Sequence, residues 1–141
     1  MATIDRTADS KGTLGDPKVV TKTLDCNVDN LAQNDIAQLI DVPANTYVLM
    51  VRWEVETVEG GARNFAIGDG SDTDGFVPTT SANSLASGAM ALALAEAAPN
   101  TVGGYTNGKY YAAADTIDLL AVTADGLTGA KITVSALMVT M

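Results

Sequence analysis

Chemistry in a protein chain needs titratable or nucleophilic side chains at spacings that let them converge. The densest polar cluster here is Gly68-Asp69-Gly70-Ser71-Asp72-Thr73-Asp74-Gly75. Three carboxylates within six residues, separated by flexible glycines, suit a calcium ion, which takes several oxygen ligands at close range. The spacing does not make an EF-hand. With Asp72, Asp74 and Gly75 at the third, fifth and sixth loop positions, Gly70 falls at the first, and Ser81 stands where a bidentate Glu is required. A glycine-rich loop whose Asp side chains cap the backbone accounts for the same residues. No metal site is expected; were the loop to take calcium, Asp69, Asp72 and Asp74 would be the ligands.

Elsewhere the candidates are thinner. Glu54 and Glu56 share one side of a strand, a placement that a glycosidase pair could use. No second element supports them, and charged residues on an exposed strand face are ordinarily just solvated. The glycines at 68 and 70 lack the Lys-Ser/Thr that completes a phosphate loop. Cys26 is the single cysteine, so no intramolecular disulfide forms. Its neighbours Asp25 and Asn27 would not lower a thiol pKa. The chain has no His, which removes Ser-His-Asp and Cys-His nucleophiles, His-ligated zinc and imidazole acid-base work. Tyr105, Tyr110 and Tyr111 surround Asn107-Gly108-Lys109. A hairpin with aromatic cross-strand pairs fits them better than a sugar-stacking or protein-contact surface. These residues predict neither an enzyme nor a bound cofactor.

Charge narrows the partners. Seventeen acidic and eight basic side chains give a net charge of -9 over 141 residues. Such a chain is repelled by nucleic acid and anionic membrane surfaces. The distribution is uneven: Arg6, Lys11, Lys18 and Lys22 against Asp5, Asp9 and Asp16 leave residues 1–24 at +1, so residues 25–141 carry -10. A slightly basic N-terminal stretch, residues 1–24, on an acidic body suits an acidic partner, including another copy of the chain. No leader or membrane span is expected: residues 1–10 have no apolar core, and Leu85 to Ala98 is too short and too polar to cross a bilayer.

The elements that must position these residues are strands. Residues 1–16 hold only Ile4 and Leu14 as sizeable hydrophobes and read as a flexible N-terminal arm. Residues 17–141 read as a single all-β domain, an antiparallel β-sandwich or jelly roll, because period-2 alternation recurs between Gly, Asn and Asp turns. In Thr46 to Val58, Tyr47, Leu49, Val51, Trp53 and Val55 are expected on the core face. Val48, Met50, Arg52, Glu54 and Glu56 then lie on a face open to solvent or a subunit contact. Gly60-Gly61 turns the chain into Ala62 to Ile67. Thr116 to Val122 and Lys131 to Met141 are predicted to pair across Asp125 to Gly129. Leu85 to Ala98 reads as strand in preference to helix, because Met90, Leu92 and Leu94 alternate with small residues.

Three stretches carry a family resemblance: Leu39-Ile40-Asp41-Val42-Pro43-Ala44-Asn45-Thr46-Tyr47-Val48, then Ile67-Gly68-Asp69-Gly70 with Asp74-Gly75-Phe76, then Gly108-Lys109-Tyr110-Tyr111-Ala112-Ala113-Ala114-Asp115-Thr116-Ile117-Asp118-Leu119. Together they resemble small β-rich structural proteins of tailed bacteriophages, and within that group the capsid decoration, or cement, proteins. The likeness runs from about Ile36 to the C-terminus and consists of strand and turn phrases with no catalytic signature.

The resemblance implies a virion protein made in the host bacterial cytoplasm that binds the outside of an icosahedral head. Its partners would be the major capsid protein and other copies of itself, as a homotrimer bridging capsomers. Arg6, Lys11, Lys18, Lys22, Glu54, Glu56 and Tyr110 are the candidate capsid or subunit contacts. The alternatives are another virion element, such as a head fibre base or tail component, or a carbohydrate-binding or adhesin-like module using Tyr105, Tyr110 and Tyr111 with calcium.

Overall fold

The computed structural model describes residues 15–89, 104–105 and 108–141. Arg6 and Lys11, nearly all of the expected arm, and residues 90–98 of the alternating Ala/Leu segment lie outside them. Nine strands are described, all antiparallel: β1 (Lys18–Asp25), β2 (Ile36–Val42), β3 (Thr46–Thr57), β4 (Asn64–Gly68), β5 (Val77–Ser81), β6 (Ser87–Ala89), β7 (Lys109–Tyr111), β8 (Asp115–Ala121) and β9 (Lys131–Thr140). They form a β-sandwich. The first sheet runs β1-β9-β3, with β6 and β7 both pairing on the far edge of β3; the second runs β2-β8-β4-β5.

The interior is aliphatic. Val48, Val51, Trp53 and Val55 of β3 and Ile132, Val134, Ala136 and Met138 of β9 meet Ile40, Val42, Phe65, Ile67, Ile117 and Leu119 from the second sheet. Trp53 and Phe65 cross the gap edge to face, with ring centroids 5.5 Å apart. Such a pair adds about 1 kcal/mol beyond its burial.

Two expectations are corrected by the topology. Thr116 to Val122 and Lys131 to Met141 do not pair with each other. β8 pairs with β2 and β4 in the second sheet, and β9 with β1 and β3 in the first. The intervening segment is an anchored crossover: Leu127 is fully buried and exchanges both backbone hydrogen bonds with Leu31, at 2.9 and 2.8 Å. Gly60-Gly61 likewise carries the chain from the first sheet to the second, so β3 and β4 are not a hairpin. Nearly every connection changes sheet, and among the described residues only β4 and β5 are consecutive and paired with each other.

The second correction concerns the faces of β3. Its register against β9 slips between Val48 and Met50, which makes Leu49 the extra residue of a β-bulge. A bulge of one residue reverses the side-chain parity beyond it. Thr46 and Val48 therefore face the core with Val51, Trp53 and Val55. Tyr47, Leu49 and Met50 are exposed together with Arg52, Glu54 and Glu56. Simple alternation puts Tyr47 and Leu49 inside, and the bulge brings them out.

Val48→Ala should cost about 2 kcal/mol through lost burial and a residual cavity, lowering Tm by roughly 4–8 °C. Val48→Lys should prevent folding, whereas Leu49→Lys should fold with Tm within about 5 °C of wild type. Circular dichroism melts decide; a folded Val48→Lys beside an unfolded Leu49→Lys would return the strand to plain alternation.

Candidate functional site

The most concentrated polar constellation is built around Asp69, whose side chain is wholly buried just after β4. Five donors converge on it. The backbone N–H groups of Ser71 and Asp72 donate to Oδ1 at 2.8 and 3.0 Å, and the Tyr105 hydroxyl donates to the same oxygen at 3.0 Å. Lys109 Nζ and the Tyr111 hydroxyl donate to Oδ2 at 2.5 and 2.6 Å. The Tyr105 oxygen also accepts from Lys109 at 2.8 Å, and the ammonium lies 4.3 Å from the Tyr105 ring centroid and 4.7 Å from that of Tyr111. Gly108 makes this approach possible: its φ is +81°, and a Cβ there would run into the Val48 carbonyl oxygen.

The electrostatics follow from that geometry. Burial pushes the Asp69 carboxyl up, but the bonds from Lys109, Tyr111, Ser71 and Asp72 outweigh it and hold the group at about 2. Burial lowers Lys109, and its bonds to Asp69 and Tyr105 more than compensate, so the ammonium stays protonated above its ordinary range. Tyr111 is pushed up by burial and by its bond to Asp69, and Tyr105 rises mainly through burial. The donors and the carboxylate are all satisfied by one another, leaving no activated base or nucleophile. The arrangement is a latch that ties the 69–76 loop, Tyr105 and β7 together; Tyr105 also packs edge to face on Phe76 at 5.0 Å.

Sequence reasoning singled out Asp69, Asp72 and Asp74 but did not foresee Lys109, forty residues along the chain, as the partner of Asp69. Asp69 does cap the loop backbone, in an Asx turn through Ser71 and Asp72. Its two oxygens are taken by protein donors, so a cation at Asp69 would have to displace Lys109. Asp74 is raised first by a side-chain hydrogen bond with Asp72, then by burial. Among the described residues, no group of three or more His, Cys, Asp or Glu side chains is arranged to hold a metal ion. The three tyrosines are dispersed. Tyr105 and Tyr111 enter the Asp69 cluster, and Tyr110 pairs across strands with Tyr47, centroids 5.7 Å apart, its hydroxyl donating to Asn45 at 3.0 Å. The expected hairpin pairing among these three tyrosines is therefore replaced by a cross-strand pair between β7 and β3, and the tyrosines form no common platform.

Glu59 is a second buried carboxylate that the sequence did not mark. Its oxygens accept from the N–H groups of Thr128, Gly129 and Ala130 at 2.8–3.2 Å, and Arg63 donates to it at 3.2 Å. Burial raises its pKa, and these backbone bonds lower it further than burial lifts it. Glu59 therefore pins the β3–β4 crossover to the β8–β9 crossover. Cys26 is buried and pushed up to about 12, by burial and then by Glu59, Asp25 and Asp29, which makes it a poor nucleophile.

The proposed contact residues fall on different surfaces. Lys18 and Lys22 are exposed on β1, the edge strand of the first sheet among the described residues, opposite core-facing Met138 and Val134. Inward-pointing lysines on an edge strand discourage edge-to-edge pairing. Glu54 lies 3.9 Å from Arg52 on the outer face of β3, and Glu56 accepts from the Thr133 hydroxyl at 2.7 Å. Among the described residues, no helix is long and apolar enough to cross a membrane.

No family model and no curated protein matches this sequence. The fold, however, is shared with chains of three solved phage structures. A chain in the capsid of Ralstonia phage GP4 is 12% identical with a TM-score of 0.67, over 91% of this chain and 86% of that one. One in the cyanophage Pam1 capsid asymmetric unit is 16% identical with a TM-score of 0.63, over 100% and 93%. One in the acidic stable capsid structure of Helicobacter pylori bacteriophage KHP30 is 13% identical with a TM-score of 0.59, over 90% of each. At these identities the likeness is one of fold.

Removing Lys109 leaves a buried charge short of its counter-ion, so Lys109→Met should cost about 3 kcal/mol. The Asp69→Asn/Lys109→Met double variant should recover part of that loss. If the double variant is less stable than Lys109→Met alone, the ion pair is not what holds the loop. Because the Asp69 pKa is depressed from 3.8 to about 2, its contribution is complete above about pH 4 and disappears as pH falls through 2. The sign reverses for Asp118, which is raised by burial, with Asp115 and Asp69 adding to it against the Thr116 bond. Asp118→Asn should therefore raise Tm at pH 7, with the gain vanishing below about pH 4; a pH-independent difference in melting would contradict this assignment.

Proposed function

We propose that this protein is a structural component of a phage virion that decorates the outside of an icosahedral capsid. It binds the major capsid protein as a homo-oligomer, a trimer by the decoration-protein resemblance, across capsomer junctions. The observation that carries the reading is the near full-length likeness of fold to chains of three phage capsid structures. It agrees with the phage decoration-protein phrases at residues 39–48, 67–76 and 108–119. The buried polar groups support the same reading, because Asp69 and Glu59 are consumed in holding loops together. A symmetric shell repeats each contact many times, so modest contacts suffice through multivalency.

On this reading Arg6, Lys11, Lys18 and Lys22 supply the positive contacts to the shell. Glu54, Glu56 and Tyr110, all on the outer face of the first sheet or its edge, supply body contacts. The carbohydrate-binding alternative is less well supported, since Tyr105 and Tyr111 turn inward toward Asp69.

The test is co-sedimentation of the purified chain with capsids lacking it. Saturable binding at a fixed copy number per capsomer is expected, weakened by roughly tenfold or more when Lys18 and Lys22 are both changed to Glu. No binding to such capsids would overturn the decoration reading, as would assembly of the chain into shells by itself.

A further inference from the structure

The strand register divides the outer face of the first sheet into two halves of opposite character. Toward one end, rows of outward side chains read Thr21-Ser135-Arg52 and Thr23-Thr133-Glu54, with hydroxyl pairs at 2.9 and 2.8 Å between β1 and β9. Toward the other end the rows read Val19-Leu137-Met50, with Leu49 beside them at the bulge, and then Val139-Tyr47-Tyr110. No charged side chain enters those two rows. Val19, Tyr47, Leu49, Met50, Tyr110 and Met141 are each between 38% and 65% exposed. Tyr47, Leu49, Val139 and Met141 enclose a hollow of about 320 Å³ whose exposed lining is entirely apolar.

We infer that this apolar half-face is the surface through which copies of the chain associate, patch against patch around a rotation axis. Two observations select a second copy as the occupant. The first is charge. Residues 25–141 carry a net -10, so copies repel one another wherever their acidic surfaces approach and can meet closely only on an uncharged face. A foreign partner drawn by that acidity would instead dock on the charged half.

The second is area and composition. At roughly 150–250 Å² per large side chain, these fractional exposures leave about 500 Å² of contiguous apolar surface, at the upper end for a monomer. A stable interface covers about 800 Å² per partner, and homodimer interfaces are about 65% apolar. The patch supplies that apolar share, and Asn45, which accepts from Tyr110, and Ser135, in the adjoining row, stand at its margin to supply the polar rim. The bulge at Leu49 is what assembles it, by turning Tyr47, Leu49 and Met50 to the same side.

The inference rests on the self-association within the reading above, and shell binding is measured separately. Light scattering of the full chain at about 50 μM should give an integer multiple of 14.5 kDa. Leu49→Lys and Val19→Lys, on different strands, should each weaken association by roughly tenfold or more. Thr133→Lys on the polar half should leave the mass unchanged. Melts confirm folding of each variant, and Val19→Lys, at the more exposed position, serves if Leu49→Lys does not fold. A wild-type chain that is monomeric overturns the inference, whether its own N-terminal segment or a foreign protein covers the patch; monomeric protein that still binds capsids leaves decoration standing. An oligomer unaffected by both variants also overturns it. An oligomer dissociated by them that never binds capsids supports the inference and overturns decoration.

Discussion

A carboxylate with no access to water is tolerated inside a β-sandwich only if donors replace its hydration shell. Asp69 meets that condition with five of them, drawn from its own loop, from Tyr105 and from both Lys109 and Tyr111. Each donor segment is thereby obliged to sit where it does. The 69–76 loop carries Phe76 onto Tyr105, and β7 is brought against β3 at Thr46 to Val48. Glu59 imposes the same kind of constraint at the opposite crossover, gathering three consecutive backbone N–H groups that would otherwise be stranded. A fold whose chain changes sheet at nearly every connection has few local hairpins to hold its loops. Two buried carboxylates do that work.

With the loops pinned, β3 can serve as the strand that organises both surfaces of the first sheet. Its inward side chains carry Trp53 onto Phe65 and so join the sheets. Its outward side chains change from Tyr47, Leu49 and Met50 to Arg52, Glu54 and Glu56 within ten residues. The bulge at Leu49 is the device that lets one strand do both. An unbulged strand would bury Tyr47 and Leu49 and expose Val48, leaving a smaller apolar area outside and overfilling the core within.

These features describe a molecule whose buried carboxylates serve packing. Its ionised groups in the interior are bonded to fixed partners, and its cysteine is buried at a raised pKa. Its most distinctive surface is a half-apolar, half-polar sheet face. The fold is one that chains of phage capsid structures also have.

Much of the β architecture was legible in the sequence because side-chain alternation is a local signal: Thr46–Thr57, Asp115–Ala121 and Lys131–Thr140 lie where period 2 and β-branched residues put them. The absence of His and the uneven charge were equally plain. Sheet membership was not legible. β8 and β9 are consecutive in sequence and equally regular, yet they lie in opposite sheets, since a buried Leu127 and the Glu59 carboxylate turn an expected hairpin turn into a crossover. Nor was the Asp69–Lys109 pair, because nothing local relates a loop aspartate to a lysine forty residues away. Alternation tells which side chains share a face, but a single bulged residue inverts that relation, and where a bulge falls is set by the neighbouring strand. The sequence alone therefore determined the class of structure and the strands available to it, while the pairing of strands, the parity of β3 and the apolar surface it presents were decided by contacts between segments far apart in the chain.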